Sequence, residues 1–184
     1  MRRPYLISFF ATFLLFCTSA TGQTKNDLLT SNTIPRQGSN IVYAASISLD
    51  SSYSKQKLFD NSQSWYIHNF QSADNTLTVN DADAGKIYGT GIIHARNHEK
   101  DIYPQDIFFT VEIVAAKGGY SYKADSIYSF EKSVKFYYSD MYNEELYKES
   151  KPEWTKQYRE SMLSNMNVRI TEMISKLKAD MAKR

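Results

Sequence analysis

From Asp106 to Ala116 the chain reads DIFFTVEIVAA, and Ile107, Phe109, Val111, Ile113 and Ala115 recur at every second position. Successive side chains of a strand point to opposite faces, so this run buries one face and leaves Phe108, Thr110 and Glu112 on the other. A strand that is apolar on one side needs a covering layer on that side only. The flanking segments follow the same rule. Gly118-Gly119 is a hairpin turn signal, and Tyr120 to Phe130 is a second long strand with tyrosines at 120, 122 and 128. Upstream, Lys86 to Ala95 places Ile87, Gly89, Gly91 and Ile93 on one face and Tyr88, Thr90, Ile92 and His94 on the other. Thr76 to Asn80 is a short strand carrying Leu77 and Val79. The connections are short enough for an antiparallel meander.

Elsewhere the period lengthens. Leu58, Phe59, Ser62, Trp65, Tyr66 and Phe70 fall three and four apart, which predicts an amphipathic helix from Ser54 to about Asn69. Asp50-Ser51-Ser52 offers N-cap candidates ahead of it. Trp154, Tyr158, Met162, Met166, Ile170, Met173, Ile174, Leu177 and Met181 predict a long C-terminal helix over about 151–182, with Ser150-Lys151-Pro152-Glu153 at its start. Ile41 to Leu49 alternates as a first strand, and Phe136 to Lys148 is tyrosine-rich and ambiguous. The order is β-α-β4-α. It predicts an α+β domain over 41–184, an antiparallel sheet with two helices on one face. Gly89 and Gly91 leave a groove on the sheet in which a helix bearing Trp65 or Trp154 can lie close.

The first 22 residues have the layout of a secretory signal. Arg2 and Arg3 precede an apolar run from Tyr5 to Phe16, and small residues follow through Gly22. The run is too short to span a bilayer. Cleavage is expected after Gly22, with Ala20 as the alternative. Cys17 follows Phe16 where a lipobox wants a small residue, so lipidation is disfavoured. Residues 23–40 (QTKNDLLTSNTIPRQGSN) read as a flexible polar leader. The implied product is exported, periplasmic or secreted, with no further membrane span. Without the signal, 22 Lys plus Arg fall by two to 20, against 20 Asp plus Glu. Such a neutral chain lacks the basic excess of a nucleic-acid binder. It also lacks cysteine, which excludes disulfides and thiolate chemistry.

Five candidate features remain. Asn80 to Gly91 (NDADAGKIYGTG) resembles a calcium or phosphate loop, but Gly85 stands where a third ligand belongs and strands flank it. It reads as a hairpin turn, with Gly85 supplying the unusual backbone angle. His94, His98 and Glu99 carry metal-ligand types, but the spacing serves zinc on a helix and here it falls after a strand. A metal-binding protein or metal-dependent hydrolase on these residues is the alternative reading. No nucleophile elbow or Rossmann glycine fingerprint is present, and no cofactor or enzyme activity is expected. The open sheet face is the default binding surface: Tyr88, Thr90, His94, Phe108, Thr110 and Glu112. The tyrosine-rich segment from Tyr137 to Tyr147 is a second candidate. Tyrosine combines apolar area with a hydroxyl, which suits a protein or glycan partner. The methionine stripe Met162, Met166, Met173 and Met181 offers self-association through the C-terminal helix, whose last turns are expected to project beyond a small sheet.

Four features carry a resemblance: the Leu58-Phe59…Trp65 helix, the Asp81-to-Gly91 hairpin, Phe108-Phe109-Thr110-Val111, and Gly119-Tyr120-Ser121-Tyr122. With these the chain resembles an exported Bacteroidetes domain-of-unknown-function family with a TBP-like (TATA-binding-protein-like) fold. The likeness covers roughly Ile41 to Phe130, and the C-terminal helix by topology. It implies a fold and a compartment, and no catalytic residues. The relation to TATA-binding protein is one of fold, which does not imply function.

Overall fold

The computed structural model describes residues 33–70, 77–94, 106–131, 133–143 and 156–184. A small hairpin comes first, β1 (Arg36–Gln37) and β2 (Asn40–Ile41). Then follow β3 (Tyr43–Ser48), α1 (Lys55–Asn69), β4 (Leu77–Asp81), β5 (Lys86–Ile93), β6 (Ile107–Ala116) and β7 (Gly119–Glu131). β8 (Val134–Tyr137), a 3-10 turn (Tyr138–Tyr142) and α2 (Lys156–Met181) complete the described elements. The main sheet has the order β3-β7-β6-β5-β4, with β8 also paired to β7, and every pairing is antiparallel. Among the described residues this is the expected α+β meander with two α-helices.

The buried stripe of β6 is the one its alternation predicts. β7 departs from simple alternation. Tyr120, Tyr122 and Ala124 are buried, and then Ile127 and Ser129. The register explains the change: Thr110 faces Asp125 while Phe108 faces Tyr128, so β7 holds one extra residue. Ser126 sits there at φ 51°. The bulge turns Tyr128 to the face opposite Tyr120 and Tyr122, which uninterrupted alternation would have placed together.

The cap of helix α1 falls two residues beyond the Asp50-Ser51-Ser52 candidates. Ser54 is its N-cap, with Oγ accepting from the Lys57 N–H at 3.1 Å. Asp50 instead accepts from the Ser52 N–H at 2.8 Å, closing a local turn. Trp65 and Phe70 meet edge to face at 5.2 Å, and Phe70 meets Phe109 at 5.6 Å. The Phe109 ring fills the space over Gly91, whose absent Cβ would lie 2.5 Å from Phe109 Cζ. The groove at Gly91 is thus occupied by a ring of the neighbouring strand, which α1 then covers.

The apolar stripe of α2 lies in the core, with Met162, Met166, Met173 and Met181 all buried. Tyr43 Oη donates to Asn167 Oδ1 at 2.7 Å and ties the helix to β3. Asn61 donates to the Lys183 carbonyl at 2.9 Å and Tyr53 to that of Ala182 at 2.7 Å. The end of α2 is therefore clasped by α1 and its entry loop, and its last turns do not project. Residues 33–40 also differ from the expected leader. The Val42 N–H donates to the Pro35 carbonyl at 3.2 Å, and the Arg36 guanidinium lies 4.3 Å from the Tyr142 ring centroid. The two β1–β2 strands close around Gly38, at φ 60°. The ambiguous segment resolves in part as β8 and the 3-10 turn, which buries Tyr138 and Met141. Trp154 and the expected cap at Ser150 lie outside the described residues.

Candidate functional site

NDADAG is a turn. Asp81 Oδ1 accepts from the Ala84 N–H at 2.9 Å, Gly85 adopts φ 69°, and its carbonyl accepts from the Ala115 N–H at 2.8 Å. A Cβ on Gly85 would approach the Ala115 carbonyl oxygen to 2.6 Å, so the glycine serves both angle and space. Among the described residues no three His, Cys, Asp or Glu side chains gather as a metal site. His94 stands exposed past the end of β5 with Nδ1 3.3 Å from Asp106 Oδ2. His98 and Glu99 lie outside the described residues.

The sheet face away from the helices is ordered by register into rows. Tyr88 pairs with Glu112, which pairs with Lys123. Thr90 pairs with Thr110, which pairs with Asp125. Ile92 pairs with Phe108, Phe108 with Tyr128, and Tyr128 with Tyr137. Five of the six residues expected on the open face, Tyr88, Thr90, Phe108, Thr110 and Glu112, thus share it and are half-buried. His94 lies just past it.

The first two rows are polar, and their charged groups are paired. Lys86 Nζ meets Glu112 at 2.6 Å, Lys123 meets Asp125 at 2.6 Å, and Thr110 Oγ1 donates to Asp125 Oδ1. Burial pushes the Asp125 carboxyl up, but hydrogen bonds from Lys123, Thr110 and Ser126, with the charge of Lys123, carry it below its ordinary value. The reciprocal hydrogen bond and charge of Asp125 raise the Lys123 ammonium. The third row is aromatic. Phe108 and Tyr128 stack at 5.1 Å with 11° between planes, and Phe130 meets both edge to face at 5.3 and 5.7 Å. Tyr137 lies 5.7 Å from Tyr128, and Lys135 Nζ sits 3.7 Å from the Tyr128 centroid, a cation–π distance. Phe130 is 44% exposed and Tyr137 39%. These rings form a shelf at one end of the open face.

Phe108 and, through the tyrosine-rich segment, Tyr137 are legible in the sequence as residues of this face. Tyr128, Phe130 and Lys135 are not, because the shift at Ser126 conceals which face Tyr128 and Phe130 take. Arg169 is not legible either. This buried side chain, on the covered stripe of α2, donates to the carbonyls of Ile93 and His94 and so holds the β5 end of the site against the helix layer. Tyr66 Oη likewise donates to the Thr90 carbonyl at 2.8 Å from beneath.

Residues 43–129 match the family described as a domain of unknown function (DUF4468) with TBP-like fold. The matched span runs from β3 into β7, so the shelf straddles its end: Phe108 and Tyr128 fall within it, Phe130, Lys135 and Tyr137 beyond. Two solved structures are similar in fold. A TBP-like protein from Parabacteroides distasonis superposes with a TM-score of 0.65 at 10% identity, over 80% of this chain and 96% of that one. A DUF4468 family protein from Bacteroides ovatus superposes with a TM-score of 0.63 at 10% identity, over 82% of this chain and 91% of that one. Identity this low speaks to fold alone. No curated protein matches the chain.

Proposed function

We propose that this chain, which carries a DUF4468 domain of TBP-like fold, is an exported, non-enzymatic binding module that engages a protein or glycan partner on its open sheet face. The observation that carries this reading is the aromatic shelf of half-buried Phe108 and Tyr128 with exposed Phe130 and Tyr137, held in place by stacking and by Lys135. Rings fixed by their neighbours lose little freedom on binding, and aromatic groups dominate interface energetics. The paired charges beside the shelf, Lys86 with Glu112 and Lys123 with Asp125, argue against a phosphate backbone as the partner. The N-terminal layout expected of an export signal supports a partner in the envelope or outside the cell.

The test is retention of an oligosaccharide panel and of soluble envelope proteins on immobilised protein, with Tyr137→Ala and Thr90→Arg beside wild type. The expected result is a loss of about tenfold or more in affinity for whatever wild type retains, with thermal midpoints within about 3 °C of wild type. Retention unchanged by both substitutions refutes the open face as the binding surface.

A further inference from the structure

The outer edge of β7 is shared by two strands. β3 pairs with Gly119 to Ala124 and β8 with Tyr128 to Glu131. Asp125, Ser126 and Ile127 lie between, where neither strand reaches, and the bulge is there. A cavity of about 470 Å³ opens at this interruption. Its walls come from Asn40 of the β1–β2 hairpin, Lys123, Asp125 and Ser126 of β7, Tyr137 of β8 and Asp140 of the 3-10 turn. That volume falls within the roughly 300–1,000 Å³ of small-molecule sites.

Charge, polarity and position narrow the occupant. The lining holds one lysine and two aspartates, a sum of −1, and Lys123 already serves Asp125. Such a site disfavours phosphate, sulfate and carboxylate. The remaining polar wall, Gln37, Asn40, Ser126 and Ser139, supplies amides and hydroxyls that both donate and accept. That set matches hydroxyl groups rather than a lipid tail. Position supplies the third constraint, because Tyr137 both lines the cavity and belongs to the shelf. A pyranose presents a C–H face that packs on a ring and a rim of hydroxyls. An added peptide strand fits poorly, since the gap spans three residues, roughly 10 Å at strand rise, and is closed at both ends by β3 and β8. Ser126, a non-glycine residue at positive φ, holds a costly backbone shape at the same spot.

We propose that the slot between β3 and β8 is the polar half of a carbohydrate subsite for a neutral oligosaccharide. One sugar ring lies on the shelf at Phe130 and Tyr137, and the next enters the slot, its hydroxyls meeting Asn40 and Asp140. This inference rests on the open face being the binding surface.

The test is calorimetric titration of the purified protein with neutral hexose and N-acetylhexosamine tetrasaccharides, and with a sulfated tetrasaccharide as control. Asn40 and Asp140 are exposed, so Asn40→Ala and Asp140→Ala do not endanger the fold. Phe130→Ala tests the shelf without touching the slot. The expected result is a neutral tetrasaccharide that binds, weakened about tenfold by either slot substitution and by Phe130→Ala. Binding weakened by Phe130→Ala alone overturns the slot and leaves the open face standing. Binding indifferent to all three overturns both. No heat from any neutral tetrasaccharide, or tighter binding of the sulfated one, overturns the neutral-carbohydrate assignment. In that case a protein partner whose affinity falls with Phe130→Ala would preserve the open-face reading.

Discussion

Replacing Gly91 by alanine is the sharpest test of how the sheet supports its open face. The new Cβ would stand 2.5 Å from Phe109 Cζ and 3.0 Å from both Cε atoms, against an ordinary contact of 3.4–4 Å. The ring must therefore retreat by about 1 Å. It has nowhere to go: Phe109 is fully buried and is wedged edge to face against Phe70 at 5.6 Å. Overpacking of this kind costs about 1–3 kcal/mol. Removing a glycine from the unfolded chain returns about 0.4–1 kcal/mol. Taking the middle of each range, the net loss is about 1.3 kcal/mol, or roughly 3–5 °C in midpoint for a domain of this size. Urea denaturation should show a lower midpoint at unchanged slope. Phe109→Leu should cost stability alone yet partly rescue Gly91→Ala, giving a coupling of about 0.5 kcal/mol or more in a double-mutant cycle. A neutral Gly91→Ala, or strict additivity with Phe109→Leu, would refute the ring-over-glycine packing.

Three further predictions follow from the same geometry. At Ser126, φ 51° penalises a β-branched residue, so Ser126→Val should lose about 1–2 kcal/mol in urea melts while Ser126→Gly stays within about 0.5 kcal/mol; equal losses would contradict the left-handed bulge. The folded Asp125 carboxyl lies below its unfolded value of 3.8, so its stabilisation is complete above that value and is lost as pH falls through the lowered one. Asp125→Asn should flatten that part of an acid stability profile, and an unchanged profile would show the Lys123–Thr110–Asp125 contacts to be idle. Burial raises the hydroxyls of Tyr66 and Tyr138 from 10.0 to about 12, so their contribution is complete below pH 10 and is lost as pH rises from there to about 12. Thermal midpoints recorded with tyrosinate absorbance should fall through that window, and less steeply in Tyr66→Phe.

What the sequence made legible follows from periodicity. The one-sided alternation of β6, the three-four spacing of α1 and α2, and the missing ligands of NDADAG each have a local cause in neighbouring residues, and the elements formed where those causes lie. The site is less local. Ser126 carries no compositional mark of a bulge, yet it decides which face Tyr128 and Phe130 take. β8 is four residues, VKFY, too short for a period to emerge, and it gains its place only by pairing with β7. The slot has no motif because it is made by two strands stopping short of each other. Arg169 sits at a core position of α2, where a charged side chain reads as a solvent-facing break in the stripe until the β5 carbonyls it serves are seen. The methionines that suggested self-association are consumed within the fold, because the layer they pack against is the chain's own sheet and α1.

The measurement that bears most directly on the open-face account is a two-dimensional NMR titration of the purified protein with the neutral hexose and N-acetylhexosamine tetrasaccharides. The account predicts shifts concentrated at Thr110, Tyr128, Phe130 and Tyr137, extending to Ser126 and Asp140 when the slot is filled. Ile67 and Val168, exposed on the helices, should stay still. Shifts confined to the helix layer, with the shelf unmoved, would contradict it.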